Sequence, residues 1–187
     1  MKNLFTIAII FIASSIVGCD PKKDDSNKSD NELITMVSLV LHNSDNTRFD
    51  STKGIWSDVD GPGGNNPIQP DTLRFKKSNN YSCHIYFHCF QNGVNNNITP
   101  TIEAESMNHL ICYDIQTSAV PPSGLIIERT DKDKNGYEVG LTTLWKTNTI
   151  EKGTIKVRLK HQPGIKNGTC DPGETDVEVD FPFIITN

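Results

Sequence analysis

Hydrophobic and polar residues alternate with a period of two along most of the chain after residue 32. Side chains of a β-strand point alternately to its two faces, so this pattern predicts strands with one buried face. The clearest predicted strand spans 81–90, where Cys83, Phe87 and Cys89 share one face. The same alternation predicts further strands over 33–41, 110–115, 125–129, 137–145, 154–160 and 175–185.

Turn residues divide these runs into short strands. Asn135 and Gly136 lie between two strand-like runs and predict a hairpin, because both tolerate a positive φ. Pro182 predicts that the last strand lies at a sheet edge or carries a bulge. A helix of about two turns is expected over 99–108, with Thr99 as its cap. The pattern therefore predicts an all-β domain, an antiparallel β-sandwich or small barrel of about eight or nine strands with one short helix.

The length and the charge limit what this domain can be. The chain has 187 residues, which suits a single domain. It carries 18 Lys and Arg against 23 Asp and Glu, giving a net charge of −5. No basic surplus exists to neutralise a phosphate backbone, so a nucleic-acid partner is not expected.

Residues 1–18 have the pattern of a secretory signal peptide. The apolar run over 4–12, interrupted only by Thr6, is too short to span a bilayer as a stable anchor. Val17, Gly18 and Cys19 end this segment and resemble the lipobox of bacterial lipoproteins, in which the Cys is acylated and becomes the mature N-terminus. Cys19 is thus the expected attachment point of a lipid that holds the protein on a membrane. The alternative is an ordinary signal peptide with a chance Cys at its boundary.

Residues 19–31 contain no aliphatic or aromatic side chain and predict a disordered tether before a domain over 32–187. Lys23, Asp24 and Asp25 resemble the export signal that places lipoproteins of Bacteroidetes on the outer face of the outer membrane. That resemblance favours the cell surface over the periplasmic face.

The folded part resembles a family of small flavobacterial outer-membrane lipoproteins, often labelled "type 1 periplasmic binding fold superfamily protein". The resemblance lies in ordered blocks over roughly 32–187, at 98–105, 108–113, 139–145, 160–164 and 173–179. It implies an all-β outer-membrane lipoprotein that works beside TonB-dependent receptors. The strand pattern does not suit the two-domain α/β architecture that the label names. Several family members have His-rich tethers, whereas residues 19–31 contain no His.

Four cysteines follow Cys19, an even number suited to disulfides in an oxidising compartment. Cys83 and Cys89 are six residues apart in one strand, about 20 Å, so they cannot pair with each other. Each would need Cys112 or Cys170, and pairing of Cys112 with Cys83 or Cys89 is favoured. Buried free thiols are the alternative.

Two groups of residues could hold a metal ion. Glu105 and His109 are four positions apart on the predicted helix, and with His161 they would suit zinc. Asp131, Asp133 and Asn135 match the start of an EF-hand-like calcium loop, but its twelfth position would be Thr142 rather than Glu. The interpretations that we favour are a solvated helix face with a loop histidine, and a hairpin turn.

The chain has no nucleophile elbow, zinc-protease motif, Walker loop or dinucleotide fingerprint, so an enzyme is not expected. Ser51 and Thr72 each follow an Asp and resemble the O-glycosylation sites of Bacteroidetes. We expect a non-enzymatic, lipid-anchored binding module of the outer membrane, accessory to uptake of a metal or small nutrient through a TonB-dependent receptor. The alternative is a structural or adhesive envelope lipoprotein that binds a protein or glycan partner.

Overall fold

The computed structural model describes residues 33–45, 51–61, 63–118 and 124–187. This part of the chain forms ten strands and one short helix. In chain order they are β1 (Met36–Asn43), β2 (Ser51–Ser57), β3 (Leu73–Lys76), β4 (Asn79–Gln91), β5 (Val94–Asn97), α1 (Thr99–Ala104), β6 (His109–Thr117), β7 (Leu125–Arg129), β8 (Thr142–Thr147), β9 (Glu151–His161) and β10 (Glu174–Thr186).

The strands form two open sheets. The first has the order β2-β1-β4-β8-β7, with β5 added beside β4, and the second has the order β3-β10-β9-β6. All neighbouring strands are antiparallel except β10 and β3, which are parallel. The predicted β-sandwich is therefore confirmed, with more strands than the sequence pattern indicates.

The core lies between the two sheets and consists of the residues that alternate onto their inner faces. Its largest fully buried side chain is Trp145 on β8. The Trp145 ring lies 5.9 Å from the ring of Phe75 and 6.1 Å from that of Tyr113, centroid to centroid. Both partners belong to the four-stranded sheet, so these aromatic contacts join the two layers.

The helix is shorter than predicted and has a different cap. It runs from Thr99 to Ala104, and Ile98 occupies the N-cap position without a side-chain hydrogen bond. Thr99 was the expected cap, but its Oγ1 accepts a hydrogen bond from the Phe87 main-chain N–H at 2.9 Å. The Thr99 hydroxyl thus bonds to β4 and does not accept a hydrogen bond from the N–H groups of the helix's own first turn.

The predicted hairpin exists, but its second strand begins later. β7 pairs with β8, which begins at Thr142 rather than at residue 137. The chain cannot extend earlier because Asp131 accepts hydrogen bonds from the main-chain N–H groups of Gly140 (2.8 Å) and Leu141 (2.9 Å). These bonds hold residues 130–141 as a compact loop.

Pro182 lies in an interior strand, so the predicted edge position is wrong for β10 as a whole. The pairing of β10 with β3 begins only at Phe183, which leaves Pro182 beside an unpaired stretch on that side. A bulge does occur in β10, but between Thr175 and Val177. A proline is tolerated here because its missing N–H has no strand partner on the β3 side.

Candidate functional site

One disulfide ties the four-stranded sheet to the loop that follows β9. Cys112 on β6 bonds to Cys170, with the Cα atoms 6.1 Å apart. This corrects the expectation that Cys112 pairs with Cys83 or Cys89. Cys83 points into the core between the sheets, whereas Cys112 is flanked by the core residues Ile111 and Tyr113 and so points to the opposite face of its sheet. Cys83 keeps a buried free thiol, and burial raises its pKa to about 12.

His109 and His161 face each other across β6 and β9. Their rings stack with centroids 5.0 Å apart and an angle of 15° between the ring planes. His109 is fully buried, and its Nδ1 lies 3.1 Å from the main-chain oxygen of Glu105. Because a carbonyl oxygen only accepts, the proton belongs on Nδ1, which leaves Nε2 as a buried acceptor with no partner in the described part of the chain.

The structure brings together His109 and His161 of the predicted zinc set, but the carboxylate of Glu105 does not join them. Glu105 follows the end of α1 and offers His109 its main-chain oxygen. Within 33–45, 51–61, 63–118 and 124–187, no three His, Cys, Asp or Glu side chains lie close enough to hold a metal ion. The pair of His109 and His161 is therefore a packing contact in this structure.

Burial and the positive charges of His161 and Lys166 together lower the pKa of His109 to about 4, although the hydrogen bond with Glu105 opposes this shift. An unfolded chain would have His109 at its ordinary pKa of about 6.5. The unfolded state therefore binds more protons than the folded state between these two values, and stability falls as the pH falls through this window. A shift of this size corresponds to about 3 kcal/mol at its full extent.

His109→Gln should remove most of that pH dependence. The measurement is urea unfolding from pH 7 down to pH 4, compared between wild type and variant, so that carboxylates common to both cancel. His84→Gln is the control, because His84 is exposed on the other sheet. If the free energy of unfolding changed equally with pH in wild type and His109→Gln, His109 would not be the source of the pH dependence.

Asp133 and Lys166 form a buried ion pair, and the charge of Lys166 also acts on His109. Lys166 Nζ donates to Asp133 Oδ2 at 2.8 Å, and the two side chains are 3% and 0% exposed. Asp133 Oδ1 accepts the main-chain N–H groups of Asn135 and Tyr137. Burial raises the pKa of Asp133, but the hydrogen bond and charge of Lys166, together with the N–H groups of Tyr137 and Asn135, outweigh it and hold the pKa below its usual value.

The same bonds account for the loop that resembles a calcium site. The carboxylate oxygens of Asp131 and Asp133 already accept hydrogen bonds from main-chain N–H groups or from Lys166, and Asn135 is exposed. Lys166 supplies the positive charge that a calcium ion would otherwise bring. No sequence pattern indicates a buried role for Lys166, because it lies between Gly164 and Gly168 in a stretch typical of an exposed turn.

An open groove of about 700 Å³ crosses the outer face of the four-stranded sheet. Its centre is a row across three strands, in which Ile184 on β10 has Arg74 of β3 on one side and Lys152 of β9 on the other. The next row places Thr154 between Pro182 and Gln116. Pro182 and Ile184 are half-buried and form an apolar floor, while the two cations and Gln116 are exposed.

The other sites predicted from the sequence do not meet in one place. Ser51 is exposed at the start of β2, and Thr72 is exposed beside β3, where it lines the groove. Cys19 lies outside the described residues. Cys89 is buried on β4. None of the helices in the described ranges has the length and apolar character needed to cross a bilayer.

No protein-family model, curated protein or solved structure matches this chain. The resemblance to flavobacterial lipoproteins thus stays a prediction from the sequence.

Proposed function

We propose that this protein is a non-enzymatic binding module, anchored by a lipid on Cys19 to the outer membrane and exposed on the cell surface. Its task would be to capture a small nutrient for a β-barrel receptor. The observation that carries the proposal is the disulfide between Cys112 and Cys170, because such bonds persist in oxidising compartments outside the cytoplasm. The segment over 1–18 resembles a secretory signal peptide and also favours a location outside the cytoplasm.

The groove supports a binding role with a small ligand. Its volume of about 700 Å³ falls in the range of small-molecule sites, about 300–1,000 Å³. Apolar floor residues and a few polar side chains at the rim are the usual make-up of such sites. The described residues offer no comparable support for a metal as the nutrient, since His109 and His161 lack a third ligand.

The anchor is tested by labelling cells with radioactive palmitate. Wild type should take up the label and Cys19→Ala should not, because the lipid is attached through that sulfur. Cys83→Ala is the control and should label normally, since Cys83 is a free thiol elsewhere in the chain. Label that persists in Cys19→Ala would overturn the lipid anchor.

Surface exposure is tested by adding protease to intact cells. The wild-type domain should be degraded, whereas replacing Lys23, Asp24 and Asp25 by Ala should protect it until the cells are lysed. Protection of the wild type in intact cells would place the protein on the periplasmic face. Co-purification of an envelope protein in a way that does not depend on the groove would favour the structural or adhesive role.

A further inference from the structure

We propose that the groove formed by Arg74, Gln116, Lys152, Thr154, Pro182 and Ile184 binds an acidic saccharide. This inference rests on the proposed function and deepens it, because it names the chemical class of the nutrient. It is carried by the distribution of paired and unpaired charges over one face of the four-stranded sheet.

The other three cations of β9 on this face, Lys156, Arg158 and Lys160, all have partners among the described residues. Lys156 pairs with Glu178 and Asp180, and Arg158 pairs with Asp114. Lys160 is buried and donates to the main-chain oxygen of Gly173 and to a threonine hydroxyl. Carboxylates thus neutralise Lys156 and Arg158, and hydrogen bonds occupy the ammonium group of Lys160.

Arg74 and Lys152 differ from these cations. Their side chains make no hydrogen bond or ion pair with any other described residue, and none of the residues lining the groove is acidic. Glu151 precedes Lys152 but points to the other face of β9, where its carboxylate accepts hydrogen bonds from Thr117 and from the Gly124 N–H. The groove is thus a positive site on a protein of net charge −5.

The spacing of the cations favours an extended anion over a single small one. Arg74 and Lys152 flank Ile184 on neighbouring strands, so their Cα atoms are two strand spacings apart, about 10 Å. A ligand with carboxylates on different units can reach both, and an arginine holds a carboxylate by two parallel hydrogen bonds.

The rest of the groove favours a sugar as the carrier of those carboxylates. Gln116 and Thr154 lie side by side and offer both donors and acceptors, which suit ligand hydroxyl groups. Pro182 and Ile184 provide a flat apolar strip between the polar rims, against which the C–H face of a sugar ring can pack. A uronic acid combines these three features, namely a carboxylate, several hydroxyls and an apolar ring face.

The test is calorimetric titration of the full-length protein, purified in detergent, with a trisaccharide of galacturonic acid. We expect binding that weakens as salt is added, because the attraction is partly between exposed charges. The neutral galactose trisaccharide should bind at least about tenfold more weakly, since the charge-assisted hydrogen bonds are lost.

Arg74→Gln and Lys152→Gln should each weaken binding of the acidic trisaccharide by about tenfold. Lys156→Gln is the matched control, because it removes one positive charge from the same sheet face outside the groove, and it should change the affinity by less than about twofold. Circular dichroism checks that all variants keep the fold.

Three results would overturn the inference: no binding, equal affinity for the neutral trisaccharide, or equal weakening by Lys156→Gln. Equal or tighter binding of a triglutamate peptide would also overturn it and assign the groove to acidic peptides. None of these depends on the lipid anchor. Palmitate labelling can therefore succeed while the saccharide fails, and the saccharide can bind while the anchor is disproved.

Discussion

Replacing both Cys112 and Cys170 by Ala should lower the free energy of unfolding by about 4 kcal/mol. The bond closes a chain segment with a sequence separation of 58. Loop-closure estimates give about 3 kcal/mol for 15 residues and about 4.7 kcal/mol for 100 residues, so this loop falls between them. Urea unfolding followed by tryptophan fluorescence measures this free energy. In a separate thermal unfolding experiment, the midpoint temperature should fall by roughly 10 °C.

The single variants provide the control, because either one breaks the same bond. Cys112→Ala and Cys170→Ala should each lose nearly as much stability as the double variant, which is the non-additive result expected of one shared interaction. Losses that simply add in the double variant would mean that the two sulfurs act independently and that no bond joins them.

Lys166→Met should destabilise the fold by about 3–5 kcal/mol, because it leaves the buried carboxylate of Asp133 without its cation. Asp133→Asn should be costly for the same reason, since the ammonium group of Lys166 then lies buried without a counter-charge. The double variant should recover part of the loss, because neither side chain then carries a charge. Chemical unfolding of the four proteins gives the coupling free energy directly.

Lys146→Met is the matched control for that cycle. Lys146 donates to Glu128 at 2.7 Å, close to the 2.8 Å of the buried pair, but the two side chains are 38% and 49% exposed. Solvent screening should limit the loss to about 1 kcal/mol or less. Equal effects of Lys146→Met and Lys166→Met would show that burial does not set the strength of the pair.

The long strands could be predicted from the sequence because hydrophobic and polar residues alternate over many positions in each of them. β4, β9 and β10 have 13, 11 and 13 residues, and their buried positions recur every second residue over most of their length. β3 and β5 have four residues each, too few for a pattern. The sequence contains a different indication of β5, the Asn92-Gly93 pair that precedes it. Both residues have a positive φ in the structure, as a tight hairpin requires.

The candidate sites depend on strand order, which alternation does not determine. Arg74, Gln116, Lys152 and Ile184 come from four strands and meet only because the order is β3-β10-β9-β6. Likewise, Asp133 could be read as a turn residue, but its partner Lys166 is 33 positions away and carries no pattern of its own. Residue types showed which chemistry was available, and the pairing of strands determined which groups met.

The position of β10 affects how the chain can fold. The segment 174–186 lies between β3 and β9, and its parallel pairing joins Leu73 to Phe183. The four-stranded sheet therefore has no continuous layer until that segment has been synthesised, and closing such long-range pairs is slow. The earlier strands have only part of their apolar surface covered in the meantime. A nascent chain of this kind stays open to chaperones and to an export machinery until its last interior strand is in place.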